Sequence, residues 1–214
     1  MTLERAATTI GLALGAFALL LRIVLSFIDG ASAGTPFVWT IVAYFSFYTI
    51  LTNLFLVLIY LSDLTKAPRL GWFREQTTRT MMAGVIVLVM MFYHVMLSGL
   101  WSPEGWHKVA DVLLHYVTPV FYVLWWWIFS EHGGVRMRDI PIMLLPSLVY
   151  VIYTLLRGAM IGTYPYPIFE VGRLGYPQVL LNTVLVGIGL VVLLALFVLA
   201  DRYLARAAPV EETP

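Results

Sequence analysis

The sequence predicts an all-α membrane protein, a polytopic helical bundle with six transmembrane helices and both termini cytoplasmic. Three observations predict it. The 214 residues are 61% hydrophobic and 12% charged, whereas soluble domains are about half apolar and about a quarter charged. Six apolar runs, near residues 9–29, 38–62, 80–101, 109–130, 140–160 and 176–201, are each long enough to cross a hydrocarbon core of about 30 Å. The basic residues gather in alternate loops, as the positive-inside bias requires.

Each run carries its own punctuation. The first follows a single basic residue, Arg5, and lacks a small-residue cleavage site, so it reads as a span and not as a removable leader. The second opens near Trp39, the third ends at Trp101, the fourth follows Trp106 and the sixth opens at Tyr176, which suits aromatics at a membrane interface. The methionine-rich stretch of the third span and the three tryptophans at 125–127 read as lipid-facing or packing surface. Pro119 and Pro146 fall inside spans, where each should kink or open its helix. Arg5, Lys66, Arg69, Arg74, Arg79, Arg136, Arg138, Arg202 and Arg206 fall on one side; Lys108, Arg157 and Arg173 mark the other. The connecting loops are short and no repeat is visible, so residues 1–214 read as one transmembrane domain with a disordered tail from about 206. There is no cysteine for a disulfide or thiolate metal site, and a net charge of +1 carries no nucleic-acid signature. The expected partners are the bilayer and a lipid; oligomeric state is not legible.

Polar residues recur at one depth. Counted from the non-cytoplasmic ends of their spans, Arg22, His94, His115 and Asn182 lie about 9–12 Å down at 1.5 Å per residue, with Thr49 and Arg157 near the same layer. Ionisable groups at such depths pair with each other or line a wet cavity, so a functional site is the default reading. Arg22 is too deep to snorkel and calls for an inward partner. Arg157 reads equally as a snorkelling side chain, and Asn182 first as interhelical glue.

The second span contains "FSFYTILTNLFLVL", which places Thr49, Thr52 and Asn53 within one turn. Hydroxyls there can bond back to a carbonyl or serve as nucleophiles. Asp111 precedes His115 by four residues, on one helix face, where a carboxylate can orient an imidazole. The catalytic reading is preferred for His115; Asp111 reads first as a complement to its helix dipole. His94 reads as a cavity or interhelical residue. Haem ligation by His94 and His115 is a weaker alternative, and no carboxylate is spaced to complete a metal site with them. No cofactor is expected. The segment after the fifth span, "GTYPYPIFEVGRLGYP", is stiffened by prolines and rich in tyrosine, and it should fold back over the bundle as a lid at about 161–175.

Three stretches are similar to one family. "GTYPYPIFE" resembles the Tyr-Pro-Phe-Glu motif after the fifth span of the androgen-induced-gene family of six-span membrane proteins, matched by Tyr166, Pro167, Phe169 and Glu170. "SFYTILTNLF" resembles its second-span motif, with Thr49 two residues after Phe47, and "LLHYVTPV" its fourth-span His followed by Pro. The resemblance implies an intramembrane hydrolase of fatty acid esters of hydroxy fatty acids, with Thr49 as nucleophile and His115 as its catalytic partner. It also implies a bacterial relative, in the inner membrane, with its site toward the non-cytoplasmic side. Thr52 is the competing hydroxyl; Asn53, Asn182 and tyrosines such as Tyr166 are candidate oxyanion donors; Arg22 or Arg157 could hold a free carboxylate. A proton-coupled or lipid carrier would use the same Arg and His residues, with inverted repeats or broken helices as its usual marks.

Overall fold

The computed structural model describes residues 2–207, which form a bundle of helices without strands, six of them long and apolar enough to span a membrane. In chain order the α-helices are α1 (Leu3–Ser32), α2 (Phe37–Phe45), α3 (Tyr48–Thr65), α4 (Gln76–Phe92), α5 (Gly105–Val112), α6 (Thr118–Phe129), α7 (Ile140–Ile161) and α8 (Val171–Ala207), with α5 and α6 in a single span and α2 outside the six. The chain is an integral membrane protein. Arg206 and Ala207, expected in a disordered tail, continue α8; residues 208–214 lie outside the described residues.

Helix α1 starts at Thr2, whose hydroxyl caps the Arg5 N–H at 3.2 Å. Its inward face carries Gly11, Gly15 and Ala18. A Cβ on Gly11 would lie 2.5 Å from Tyr60 Cζ, so only glycine lets α3 pack this closely. Trp125 donates its indole N–H to Thr8 at 2.9 Å and brings α6 against the same face. The tryptophan run is therefore split: Trp125 and Trp126 are core, and Trp127 faces outward. Met81 and Met82 likewise pack inward while Met91 is exposed. Near the basic end, Asp63 accepts from Lys66 at 2.8 Å and from Arg79 at 2.7 Å, and the Arg79 guanidinium sits 5.2 Å over the Trp125 ring. A buried carboxylate needs such partners, because water is not there to solvate it.

The second apolar run is not one helix. It breaks at Ser46 and Phe47, where Phe47 is extended (φ −82°, ψ 126°) and a new helix begins. The freed Ser46 carbonyl takes the Tyr150 hydroxyl at 2.9 Å, and the Ser46 hydroxyl lies 2.9 Å from that of Tyr153. In hydrocarbon a broken ladder persists only where side chains replace the missing bonds. The consequence is positional: Thr49 lies in the first turn of α3, with its N–H unclaimed by the helix.

Two of the spans contain a π turn, Tyr93–Leu97 after α4 and Leu113–Val117 between α5 and α6. In the second, the Thr118 N–H reaches back five residues to Leu113, and Pro119 has no N–H to offer Leu114. The loop from α7 to α8 is shorter than expected, because the chain is helical again from Val171 and bends at Gly175 (φ 74°), a conformation costly for other residues.

Candidate active site

The orphaned Leu114 carbonyl shows how the site is assembled. It accepts the Asn53 side-chain amide at 3.2 Å, and the same amide donates to the Thr49 carbonyl at 2.8 Å. The Asn53 carbonyl oxygen takes the Thr118 hydroxyl. One fully buried asparagine therefore clips the first turn of α3 to the π turn that carries His115. Both of its amide protons are engaged, so it is not a free oxyanion donor.

Across this clip, Thr49 Oγ1 lies 3.3 Å from His115 Nε2. On its other edge His115 Nδ1 faces two acceptors, the Asp111 backbone carbonyl at 3.0 Å and Asp111 Oδ1 at 3.1 Å. Two acceptors place the proton on Nδ1 and leave the Nε2 lone pair toward the hydroxyl. This corrects the reading of Asp111 as a dipole complement: its carboxylate is directed at the imidazole, in the order hydroxyl, imidazole, carboxylate known from nucleophilic hydrolases. Helical spacing brings Asp111 and His115 together, and the π turn leaves both side chains pointing inward.

Tyr93, which the depth argument passed over, completes the surroundings. Its ring stacks on that of His115 with centroids 3.7 Å apart and 12° between planes, and its hydroxyl bonds Asp111 Oδ2. The signal was its place beside His94, but a count of ionisable groups does not register a tyrosine. His94 itself points elsewhere: it is exposed, and its Nδ1 lies 3.1 Å from the Tyr116 hydroxyl. It makes an interhelical bond and does not line a cavity with His115. Among the described residues no three His, Cys, Asp or Glu side chains converge.

Tyr166 arrives from the loop after α7. Its hydroxyl accepts the Thr49 N–H at 3.3 Å and lies 3.3 Å from Thr49 Oγ1, and its ring packs edge-on against Phe47 and Phe92. Burial pushes its phenol above the usual value, so the proton is retained and can be donated. Thr52, the competing hydroxyl, is buried one turn along and bonds back to the Thr49 carbonyl at 3.1 Å. No imidazole meets it.

Arg157 and Asn182, candidates for substrate as well as for snorkelling and for joining elements, are engaged with the backbone. Arg157 donates to the Thr163 carbonyl at 3.1 Å and Asn182 to the Ile168 carbonyl at 3.1 Å. A loop with two prolines, Pro165 and Pro167, leaves carbonyls unpaired, and these two donors satisfy them and pin the loop on which Tyr166 rides. Neither lines the cavity with Thr49 and His115.

Arg22 does line it. The cavity has a volume of about 580 Å³ and also touches Asp29, His107, Asp111 and Tyr166. Arg22 Nη1 stands 3.8 Å from Asp29 Oδ2, and His107 Nε2 stands 3.5 Å from Asp29 Oδ1. Asp29 and His107 were not singled out from the sequence, since both lie at span ends where charge is ordinary. The arrangement holds a hydroxyl against an imidazole, a carboxylate behind the imidazole, a second hydroxyl and an arginine in the same cavity. Compared with protein-family models, characterised proteins and solved structures, the chain matches none.

Proposed function

We propose that this protein is an intramembrane lipid ester hydrolase, with Thr49 as nucleophile and His115 as general base and acid. The observation that carries the reading is the 3.3 Å approach of Thr49 Oγ1 to His115 Nε2 inside a cavity within an apolar bundle. A separation at the long end of the hydrogen-bonding range is common before substrate binds. The resemblance to the androgen-induced-gene family supports the same two residues and implies a bacterial inner membrane, and the basic loops favour a site toward its non-cytoplasmic side.

His115 takes the Thr49 proton on Nε2 as Oγ1 bonds to the ester carbonyl carbon. Asp111 stabilises the imidazolium that results. The negative charge that develops on the carbonyl oxygen is met by the Tyr166 hydroxyl; one such donor is worth about 3–4 kcal/mol in a transition state. Collapse of the adduct breaks the bond to the alkoxide, which leaves with the proton from His115. A water then gives its proton to His115 and attacks the acyl carbon, and Thr49 recovers its proton as the fatty acid departs. Arg22 is suited to a free carboxylate on the alcohol portion, as in fatty acid esters of hydroxy fatty acids.

The test is a fluorophosphonate probe with the labelled residue mapped by mass spectrometry. Labelling at Thr49 that disappears in His115→Ala supports the reading; no label together with no hydrolysis of any lipid ester sinks it. The break between α2 and α3 favours a second reading, since discontinuous helices are a mark of carriers. Uptake of a labelled fatty acid into proteoliposomes without ester cleavage would establish the carrier instead.

A further inference from the structure

Thr49 and Tyr166 belong to two cavities at once. Besides the polar cavity of Arg22 and His115, they close the inner end of a second one, about 540 Å³, between α4, α7 and α8. Its walls are hydrocarbon, with Leu88, Leu144, Val151 and Val191 among them. The hydroxyls in those walls are already committed: Ser147 lies 2.6 Å from the Tyr48 hydroxyl, Thr183 bonds back to the Val179 carbonyl at 2.8 Å, and Tyr150 donates to Ser46. Leu148, Ile188 and Val192, on its α7 and α8 sides, are each more than half exposed, so the chamber opens sideways toward lipid.

Resting on the hydrolase reading, we propose that this chamber holds the acyl chain of the ester and that the chain enters laterally from the bilayer between α7 and α8. The carbonyl then meets Thr49 where the two cavities join, and the charged alcohol portion lies in the polar cavity. The polar cavity is a poor alternative seat for the acyl chain, because Arg22, Asp29, His107 and Asp111 would lose hydration against it. Gly187 sets the usable depth. It lines the chamber, and a Cβ built on it meets nothing within 4 Å. A larger residue there fills chamber volume without disturbing the protein, and it shortens the chain that fits.

Two measurements test this. In the first, Thr49→Ala protein in proteoliposomes is photolysed with a palmitoyl ester of a hydroxy fatty acid that carries a diazirine at the acyl terminus, and adducts are mapped. Adducts on the α7 and α8 walls, reduced by Gly187→Leu, are expected; adducts confined to α1, α2 or the polar cavity overturn the proposal. In the second, Gly187→Leu is assayed on butyrate and palmitate esters. Palmitate hydrolysis should fall by at least about 10-fold relative to butyrate; an equal change for both overturns it. Chamber adducts in a protein that cleaves no ester would uphold the acyl site and discard the hydrolase reading. Cleavage with adducts elsewhere would do the reverse.

Discussion

Asp111 meets His115 through two different oxygens, its backbone carbonyl at 3.0 Å and its carboxylate at 3.1 Å, both at Nδ1. A single residue therefore sets a carbonyl and a carboxylate at the same ring nitrogen. Tyr93 holds the other carboxylate oxygen and stacks on the imidazole, which leaves the ring little freedom to turn away from Thr49.

On the hydrolase reading, removing Thr49 or His115 should abolish turnover without unfolding the bundle. Thr49→Ala and His115→Ala are each expected to lower kcat for lipid esters by at least about 10³-fold, while Thr52→Ala retains most activity. Hydrolysis assays beside gel filtration and thermal melts separate chemistry from folding. Equal loss in Thr49→Ala and Thr52→Ala would contradict the assignment.

Asp111→Asn keeps the shape and removes the charge. It should cost about 10²–10⁴-fold in kcat with KM little changed, since it acts on the imidazole and not on the substrate. Tyr93→Phe keeps the stacked ring but frees the carboxylate, and a smaller loss in kcat, about 10-fold, is expected from one hydrogen bond to a charged group. Stopped-flow or initial-rate kinetics on both variants check the order of effects.

Asn53 joins the two halves of the site. Asn53→Leu leaves the Thr49, Leu114 and Thr118 polar groups to find other partners. Each buried orphan costs about 1–3 kcal/mol, so a fall in thermal stability should accompany the loss of activity. Asn53→Asp, which sets a carboxyl oxygen against the Thr49 and Leu114 carbonyls in place of the amide protons, should be at least as destabilising as Asn53→Leu.

The two arginines should separate by substrate. Arg22→Gln is expected to raise KM by about 10-fold or more for esters that carry a free carboxylate and to leave uncharged esters alone. Arg157→Ala, and with it Asn182→Ala, should lower kcat for both kinds of ester, because they act through the loop that carries Tyr166. A carboxylate-selective loss in Arg157→Ala would place it in the binding site after all.

Composition and hydropathy alone determined the membrane class and the helical bundle, because a spanning segment must be apolar and must satisfy its own backbone. Thr49 and His115 stood out as polar groups in apolar spans, whereas Tyr166 and the preference for Thr49 over Thr52 came from the family resemblance; the structure brings the three side chains together. The tertiary structure decided what each polar residue does. It split the second run at Ser46, where hydroxyls from α7 replace the lost ladder bonds and put Thr49 at a helix start. It stacked Tyr93 on His115 and bonded it to Asp111, a contact between spans that no periodicity announces. It sent His94, Arg157 and Asn182 to other partners, because depth along a helix says how far down a side chain lies and not which way it faces.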